Sequence, residues 1–271
     1  MNFAAYCQVD AVNWSTLKCM SASPLHYRHR LETPRDDTPA MRFGRACHTA
    51  VLEPDRFPLE WVVFDGRRAG NAWAEFAAVN ADRGILTRSE YETALAVRDA
   101  VHAHPAAAKL LAGCEYEQTV LWNDPDTGIA CKARPDAVNK RTLVDLKTTR
   151  TIDARKFGRV AYDLDYFGQL AFYAEGLAIT TGRYYEAFIV AVESECPHDV
   201  GVFAVEPDSL AAAADRSHEY LERVAQCRTA DDWPGRFAEA QTLELPPWAL
   251  DDGKDEILIL EGRAPRAEVL S

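Results

Sequence analysis

The chain contains no run of about eighteen consecutive apolar residues, roughly the length a helix needs to cross a bilayer. Its first residues, Met-Asn-Phe-Ala-Ala-Tyr, lack the basic segment followed by an apolar one that marks a secretory leader. No membrane span and no secretory signal are therefore expected, and a cytoplasmic location is. No Cys-x-x-Cys pair occurs either. The seven cysteines, Cys7, Cys19, Cys47, Cys114, Cys131, Cys196 and Cys227, are odd in number and scattered, which points to reduced thiols and away from a zinc ribbon or an Fe–S cluster. Positive charge is also scarce: 30 Lys and Arg stand against 42 Asp and Glu, for a net charge of −12. That balance opposes bulk attraction to a polyanion and counts against a nonspecific nucleic-acid coat, and it counts less against a nuclease with a locally basic cleft.

What is present is enough apolar material for a large core. At 271 residues and 48% hydrophobic, the chain suits one elaborated α/β domain, residues 1–250, followed by an acidic C-terminal tail, 251–271. The most informative stretch runs from Cys131 to Thr149. Its pattern predicts a strand over Cys131–Val138, a turn at Asn139-Lys140-Arg141 and a second strand over Leu143–Thr148. On the second strand Asp145 and Lys147 share a face, and Asp136 on the first can reach the same region. Two carboxylates and an ammonium then converge, and buried charges persist only when paired or bound to metal. Oxygen ligands of this type suit Mg²⁺, with Mn²⁺ able to substitute, and such an ion can activate water and neutralise charge on a phosphate. Between Lys132 and Arg159 nine basic residues face only Asp136, Asp145 and Asp153, so the acidic pocket has a basic surround. An Asp-x-Lys taken alone favours a surface hairpin carrying an ordinary Asp–Lys pair, because so short a motif recurs by chance.

Pro135-Asp136 followed by Asp145-Leu146-Lys147 resembles the PD-(D/E)XK signature of the restriction-endonuclease-like nucleases. Gln169 and Tyr173, in Tyr166-Phe-Gly-Gln-Leu-Ala-Phe-Tyr173, resemble the Gln-x-x-x-Tyr helix of the exonuclease branches. Phe43-Gly-Arg-Ala-Cys-His48 resembles the Gly-x-x-x-His helix of exonuclease VIII (RecE)-like domains of phage and prophage type. The blocks stand in the family's order, and the similarity runs from about Trp14 to Trp248. The resemblance implies an α/β restriction-endonuclease-like core, a central mixed β-sheet flanked by helices, with a helical N-terminal region. It implies a Mg²⁺-dependent exodeoxyribonuclease that digests linear double-stranded DNA, 5′ to 3′, leaving 3′ single strands for recombination. His48, Asp136, Asp145 and the Leu146 carbonyl would hold metal; Lys147 would position or help deprotonate the attacking water; Gln169 and Tyr173 would orient that lysine or the phosphate. Partners implied are double-stranded DNA ends, a single-strand annealing protein and a homo-oligomeric ring. An endonuclease or repair nuclease would share every one of these motifs, and a catalytically degenerate DNA-binding module remains a further alternative.

The rest of the chain frames this centre. Helices are expected after a cap at Asn13 or Ser15, from Ser23-Pro24, over 40–53, Ala69–Asp82, Ser89–His102 with Ser89 as its cap, and Pro105–Leu111. Gly44 and His48 lie one turn apart, with Gly44 admitting a close backbone neighbour. Trp61–Phe64 reads as a strand. So does Cys114–Trp122, with Glu115 and Glu117 on one face, Glu117 being either an extra metal carboxylate or a plain edge glutamate. Asp153–Val160 is a short helix or loop, Tyr166–Thr180 an amphipathic helix, Tyr184–Val192 and Val200–Val205 strands, and Pro207–Gln226 a long helix. Arg134, Arg150 and Arg28 are candidate DNA contacts; His102 and His104 read as surface residues.

Overall fold

The computed structural model describes Met1, residues 3–33 and residues 37–246. Trp248 and the acidic tail, 251–271, lie outside the described residues. One compact unit spans Met1–Gly235 and holds every helix and strand described below.

The N-terminal region is helical. After α1 (Phe3–Gln8), α2 (Trp14–Leu17) starts where the Asn13 side chain accepts from the Thr16 N–H, which settles the cap on Asn13. Ser23 and Pro24 open α3 (Pro24–Glu32), and Thr38 and Pro39 open α4 (Pro39–Leu52). Such caps contribute about 1 kcal/mol each. A short α5 (Phe57–Glu60) leads into β1 (Trp61–Val63), followed by α6 (Asn71–Val79). The sequence reading missed β2 (Gly84–Leu86), which pairs parallel to β1 through only three residues. It also misplaced the cap of α7 (Arg88–Ala103): Thr87, not Ser89, accepts from the Glu90 N–H, and Glu90 reaches back to close a capping box. His104 caps α8 (Pro105–Leu111) through its Nδ1.

The two strands expected on either side of residue 125 are each broken. Cys114–Trp122 is β3 (Glu115–Tyr116) and β4 (Val120–Asn123), separated by Glu117 at φ +53°. Glu115 and Glu117 therefore do not share a strand face. Cys131–Val138 is β5 (Ala130–Ala133) and β6 (Ala137–Val138), interrupted at Arg134-Pro135-Asp136. Proline cannot donate to a ladder, which gives the break its local cause. β4 and β5 form a separate antiparallel ribbon, while β3 and β6 join the main sheet, ordered β3-β6-β7-β8-β9, with β7 (Thr142–Thr149), β8 (Glu186–Glu193) and β9 (Val200–Ala204). β7 and β8 run parallel and the other pairs antiparallel, so the sheet is mixed. Their crossover carries α9 (Ala154–Asp163) and α10 (Tyr166–Thr181), and α11 (Pro207–Ala230) closes the unit.

Alternation along β7 and β8 divides the core. Val144, Leu146, Val190 and Val192 pack with residues of α4, α7 and α8. Leu143, Ala187, Ile189 and Ala191 pack with residues of α2, α10 and α11. Each fully buried aliphatic side chain contributes roughly 1.5–3 kcal/mol, so the register of β7 is strongly held. That register decides which way Asp145 and Lys147 point. No helix among the described residues is long and apolar enough to cross a membrane.

Candidate active site

Asp145 and Lys147 follow Leu143 on the α10 side of β7. Asp145 is 1% exposed and its Oδ2 lies 2.5 Å from Lys147 Nζ. α10 is pressed close enough to complete the group. The Gln169 amide donates to Asp145 Oδ1 at 3.1 Å and lies 3.3 Å from the Tyr173 hydroxyl, while its Oε1 accepts from Lys147 at 3.2 Å. Tyr166, one turn earlier on the same face, sets its ring centroid 4.7 Å from Lys147 Nζ. The motif reading did not single out Tyr166, although its spacing of three from Gln169 could have shown it. Gly168 makes this approach possible: a Cβ there would lie 2.0 Å from the buried Trp14 ring.

Asp136 sits at the strand break and connects the two faces. β6 pairs only with Leu143 and Val144, so beyond that point β7 keeps β8 on one edge but has no strand on the other among the described residues. The Asp136 carboxylate takes the place of one there, Oδ2 accepting the Leu146 N–H at 2.7 Å. The remaining oxygen, Oδ1, lies 3.3 Å from His48 Nδ1 on α4. Glu117 completes the cluster from the β3–β4 break. His48, Glu117 and Asp136 each offer one donor atom, and the three atoms lie within 4.8 Å of one another. One imidazole and two carboxylates make a donor set for a divalent cation. The positive φ of Glu117, a conformation costing about 1–3 kcal/mol in a non-glycine residue, turns its side chain into this cluster. Asp145 Oδ2, buried and without a well-formed hydrogen bond despite the nearby ammonium, is a further acceptor with capacity to spare.

The charges perturb one another. Burial opposes the charged form of His48, but the Asp136 carboxylate outweighs it and raises the imidazole above its usual value; burial likewise opposes ionisation of Asp136, and His48 and Lys147 overcome it and hold it low. For Asp145 the balance falls the other way: burial, reinforced by the like charge of Asp136, outweighs Lys147 and lifts its carboxyl to about 6. Lys147 is disfavoured as a cation by burial, yet Asp145 and Asp136 raise it. Burial and then Asp136 raise Glu117, with Arg134 acting against them. Tyr173 is pushed well up by burial.

The proposed DNA contacts divide. Arg134 is drawn into the site, its Nε 2.7 Å from Glu117 Oε2 and its Nη1 3.0 Å from the Met1 carbonyl. Arg150 is exposed just beyond β7. Arg28 pairs with Glu32 and lies over Trp233, on the α3–α11 side. His102 bonds the Val51 carbonyl. Gly44 meets no backbone; its nearest neighbour would be Thr148 Oγ1, 3.8 Å from an added Cβ.

A broken strand that brings an aspartate beside Asp-x-Lys on the next strand, within a mixed sheet between two helical layers, defines the PD-(D/E)XK nuclease class. Residues 13–246 match the family described as a PDDEXK-like domain of unknown function (DUF3799), and the chain belongs to it. Among solved structures it is similar to a Eubacterium rectale protein provisionally named an exonuclease, with a TM-score of 0.61, 14% identity and coverage of 93% of this chain and 96% of the other. A second, SSO0001, aligns over 71% of this chain and 88% of its own at 16% identity, with a TM-score of only 0.29. No curated protein matches the chain in sequence.

Proposed function

We propose that the chain is a divalent-metal-dependent exodeoxyribonuclease acting on ends of linear double-stranded DNA. The observation carrying this reading is the meeting of the His48–Glu117–Asp136 donors with the Asp145–Lys147–Gln169 network at one strand break. A divalent ion, Mg²⁺ with Mn²⁺ able to replace it, would supply an activated water and neutralise charge on the phosphate. His48, Glu117 and Asp136 would hold it, with Asp145 and the Leu146 carbonyl completing the set from β7. Lys147 holds a proton-bearing nitrogen where water meets phosphate, and stabilises charge developing on the phosphate oxygens. Gln169 fixes the distance between Lys147 and Asp145, and Tyr173 steadies Gln169. Exposed basic residues beyond β7, Arg150, Arg155 and Lys156, offer the duplex backbone a positive face despite the overall negative charge.

Digestion from 5′ ends, leaving 3′ strands for an annealing protein, and assembly into a ring around DNA belong to the same proposal and rest on the exonuclease VIII-like motifs. The test is Mg²⁺-dependent nucleotide release from linear duplex, compared with a covalently closed circle. Release from the linear form alone, losing a 5′ label first, is the expected result. Cleavage of the circle would replace the reading with an endonuclease, and no cleavage of either with a binding module.

A further inference from the structure

A cavity of about 820 Å³ opens directly from the donor cluster, with His48, Glu117 and Arg134 forming one wall. Its volume lies within the range of ligand pockets, roughly 300–1,000 Å³. Nothing in the catalytic arrangement uses the remainder of it.

Three arginines lining this cavity, Arg42, Arg68 and Arg83, each have a buried Nε–H with no acceptor among the described residues. The carboxylates around them are unevenly shared. Asp37 holds Arg45 through two bonds at 2.8 and 2.7 Å, and Glu53 and Glu60 hold Arg56, so those two are neutralised. Arg42 and Arg68 instead share Glu90, at 4.0 and 3.3 Å, and Glu90 also accepts the Thr87 N–H. Guanidinium N–H donors are left without acceptors, facing a cavity in a chain of net charge −12. The same walls carry flat apolar surface. Trp73 has the Arg68 guanidinium 5.6 Å from its ring centroid, and Phe3, 55% exposed, stands at the cavity edge beside Arg134.

α4 connects this wall to the chemistry. Arg42, Arg45 and His48 recur every three residues and line the cavity together, so Arg42 lies about 9 Å along the helix from the metal donor. A ligand reaching from the donor cluster to Arg42 needs a phosphate at one end, negative charge further along and a flat ring for Trp73 and Arg68. We propose that this cavity receives the unpaired end of a nucleic-acid strand, its phosphate at Arg42 and its base against the Arg68–Trp73 stack. The choice of a nucleic-acid strand over other flat anions rests on the nuclease reading. Stacking on aromatic and guanidinium planes with phosphate contacts is the general chemistry of single-strand binding.

The test uses the full-length chain in EDTA, so that binding is read without cleavage. Fluorescence anisotropy would follow a labelled short oligodeoxythymidylate, with a covalently closed, relaxed duplex circle as competitor. Arg42→Ala should weaken binding of the single strand by roughly ten-fold, Trp73→Leu similarly, and Arg42→Lys should recover part of the loss. Lys109→Ala, on the exposed side of α8 and outside the cavity, should leave it unchanged. Unaltered single-strand affinity in a folded Arg42→Ala, or equal competition by the closed duplex, would overturn the proposal. If the wild type binds the strand through Arg42 and yet cuts no DNA, the cavity assignment stands and the nuclease reading fails. If it cuts DNA but Arg42→Ala binds normally, the reverse holds.

Discussion

Across β7 the candidate centre has two flanks, and they are built differently. On the α10 flank the polar side chains bond one another: Lys147 meets Asp145, Gln169 and the Tyr166 ring, and Gln169 meets Asp145 and Tyr173. On the α4 flank His48, Glu117 and Asp136 converge on one another with a single close contact between donors, the 3.3 Å approach of His48 to Asp136. The α10 flank is a finished network and positions its lysine without help. The α4 flank gathers two carboxylates around an imidazole whose proton affinity Asp136 raises, an arrangement that gains most when a cation takes the proton's place. In the proposed function the α4 flank would bind metal and the α10 flank would act on the chemical step.

The largest effects should separate the flanks. Asp145 touches both functions, and Asp145→Asn is expected to bring turnover to background and to lower metal affinity, with folding retained by near-ultraviolet circular dichroism. Lys147→Ala should lose roughly 10²-fold in single-turnover cleavage, the scale of one positioned acid–base or electrostatic group, while calorimetric Mg²⁺ affinity is kept. If Lys147→Ala lost metal as severely as Asp145→Asn, the two flanks would not be distinct. His48→Ala should show the opposite signature. We expect metal affinity to fall and activity to be partly restored at high Mg²⁺ or Mn²⁺. A variant that only melted earlier, with unchanged metal dependence, would reduce His48 to a packing residue.

Legibility in the sequence follows the same division. α4, β7 and α10 were readable because each is a regular element whose period fixes the relation of its functional residues: Gly44 to His48, Asp145 to Lys147, Gln169 to Tyr173. The breaks on either side were not. Residues 131–138 alternate like one strand, and what divides them is tertiary: β5 is claimed by β4 and by Val12, whose N–H donates to Ala130, and β6 by β7. Pro135 was the one local signal of the break. Glu117 offered none, because its left-handed backbone is set by the two strands it separates and by its N–H bond to the Asp136 carbonyl. Glu117 was therefore only one of two open readings, although it lies in the donor cluster. β2 was lost for a similar reason, being only three residues long.

A gentler test uses protons. His48 is raised by Asp136, and Asp145 lies at about 6 through burial and the nearby carboxylate. Metal binding requires both to be deprotonated. Affinity should therefore rise with pH from about 6 through the raised value of His48 and level off above it. For folding without metal the sign is reversed at His48, whose pairing stabilises fully below about 6.5 and is lost as pH rises through its folded value. Titrating Mg²⁺ near pH 6 in buffers of different ionisation enthalpy should reveal net proton release. No release would mean that the α4 flank does not bind through His48.

The smallest effects come from two glycines, one on each flank. On α10, a Cβ at Gly168 would sit 2.0 Å from the Trp14 ring, which is itself buried and tied to the Asp165 carbonyl through its Nε1. The ring cannot easily yield, so Gly168→Ala must push α10 outward, at a cost of about 1–3 kcal/mol for overpacking. Gln169 moves with it, so turnover should fall alongside the melting temperature. On α4, a Cβ at Gly44 would meet only Thr148 Oγ1 at 3.8 Å, ordinary contact distance. Gly44→Ala should therefore keep metal affinity and turnover and gain up to about 1 kcal/mol from helix propensity. Thermal melts paired with single-turnover cleavage would measure both. If the Gly44 variant lost activity as the Gly168 variant does, α4 would be packed as tightly against the strand as α10, and the contrast between a finished flank and an open one would fail.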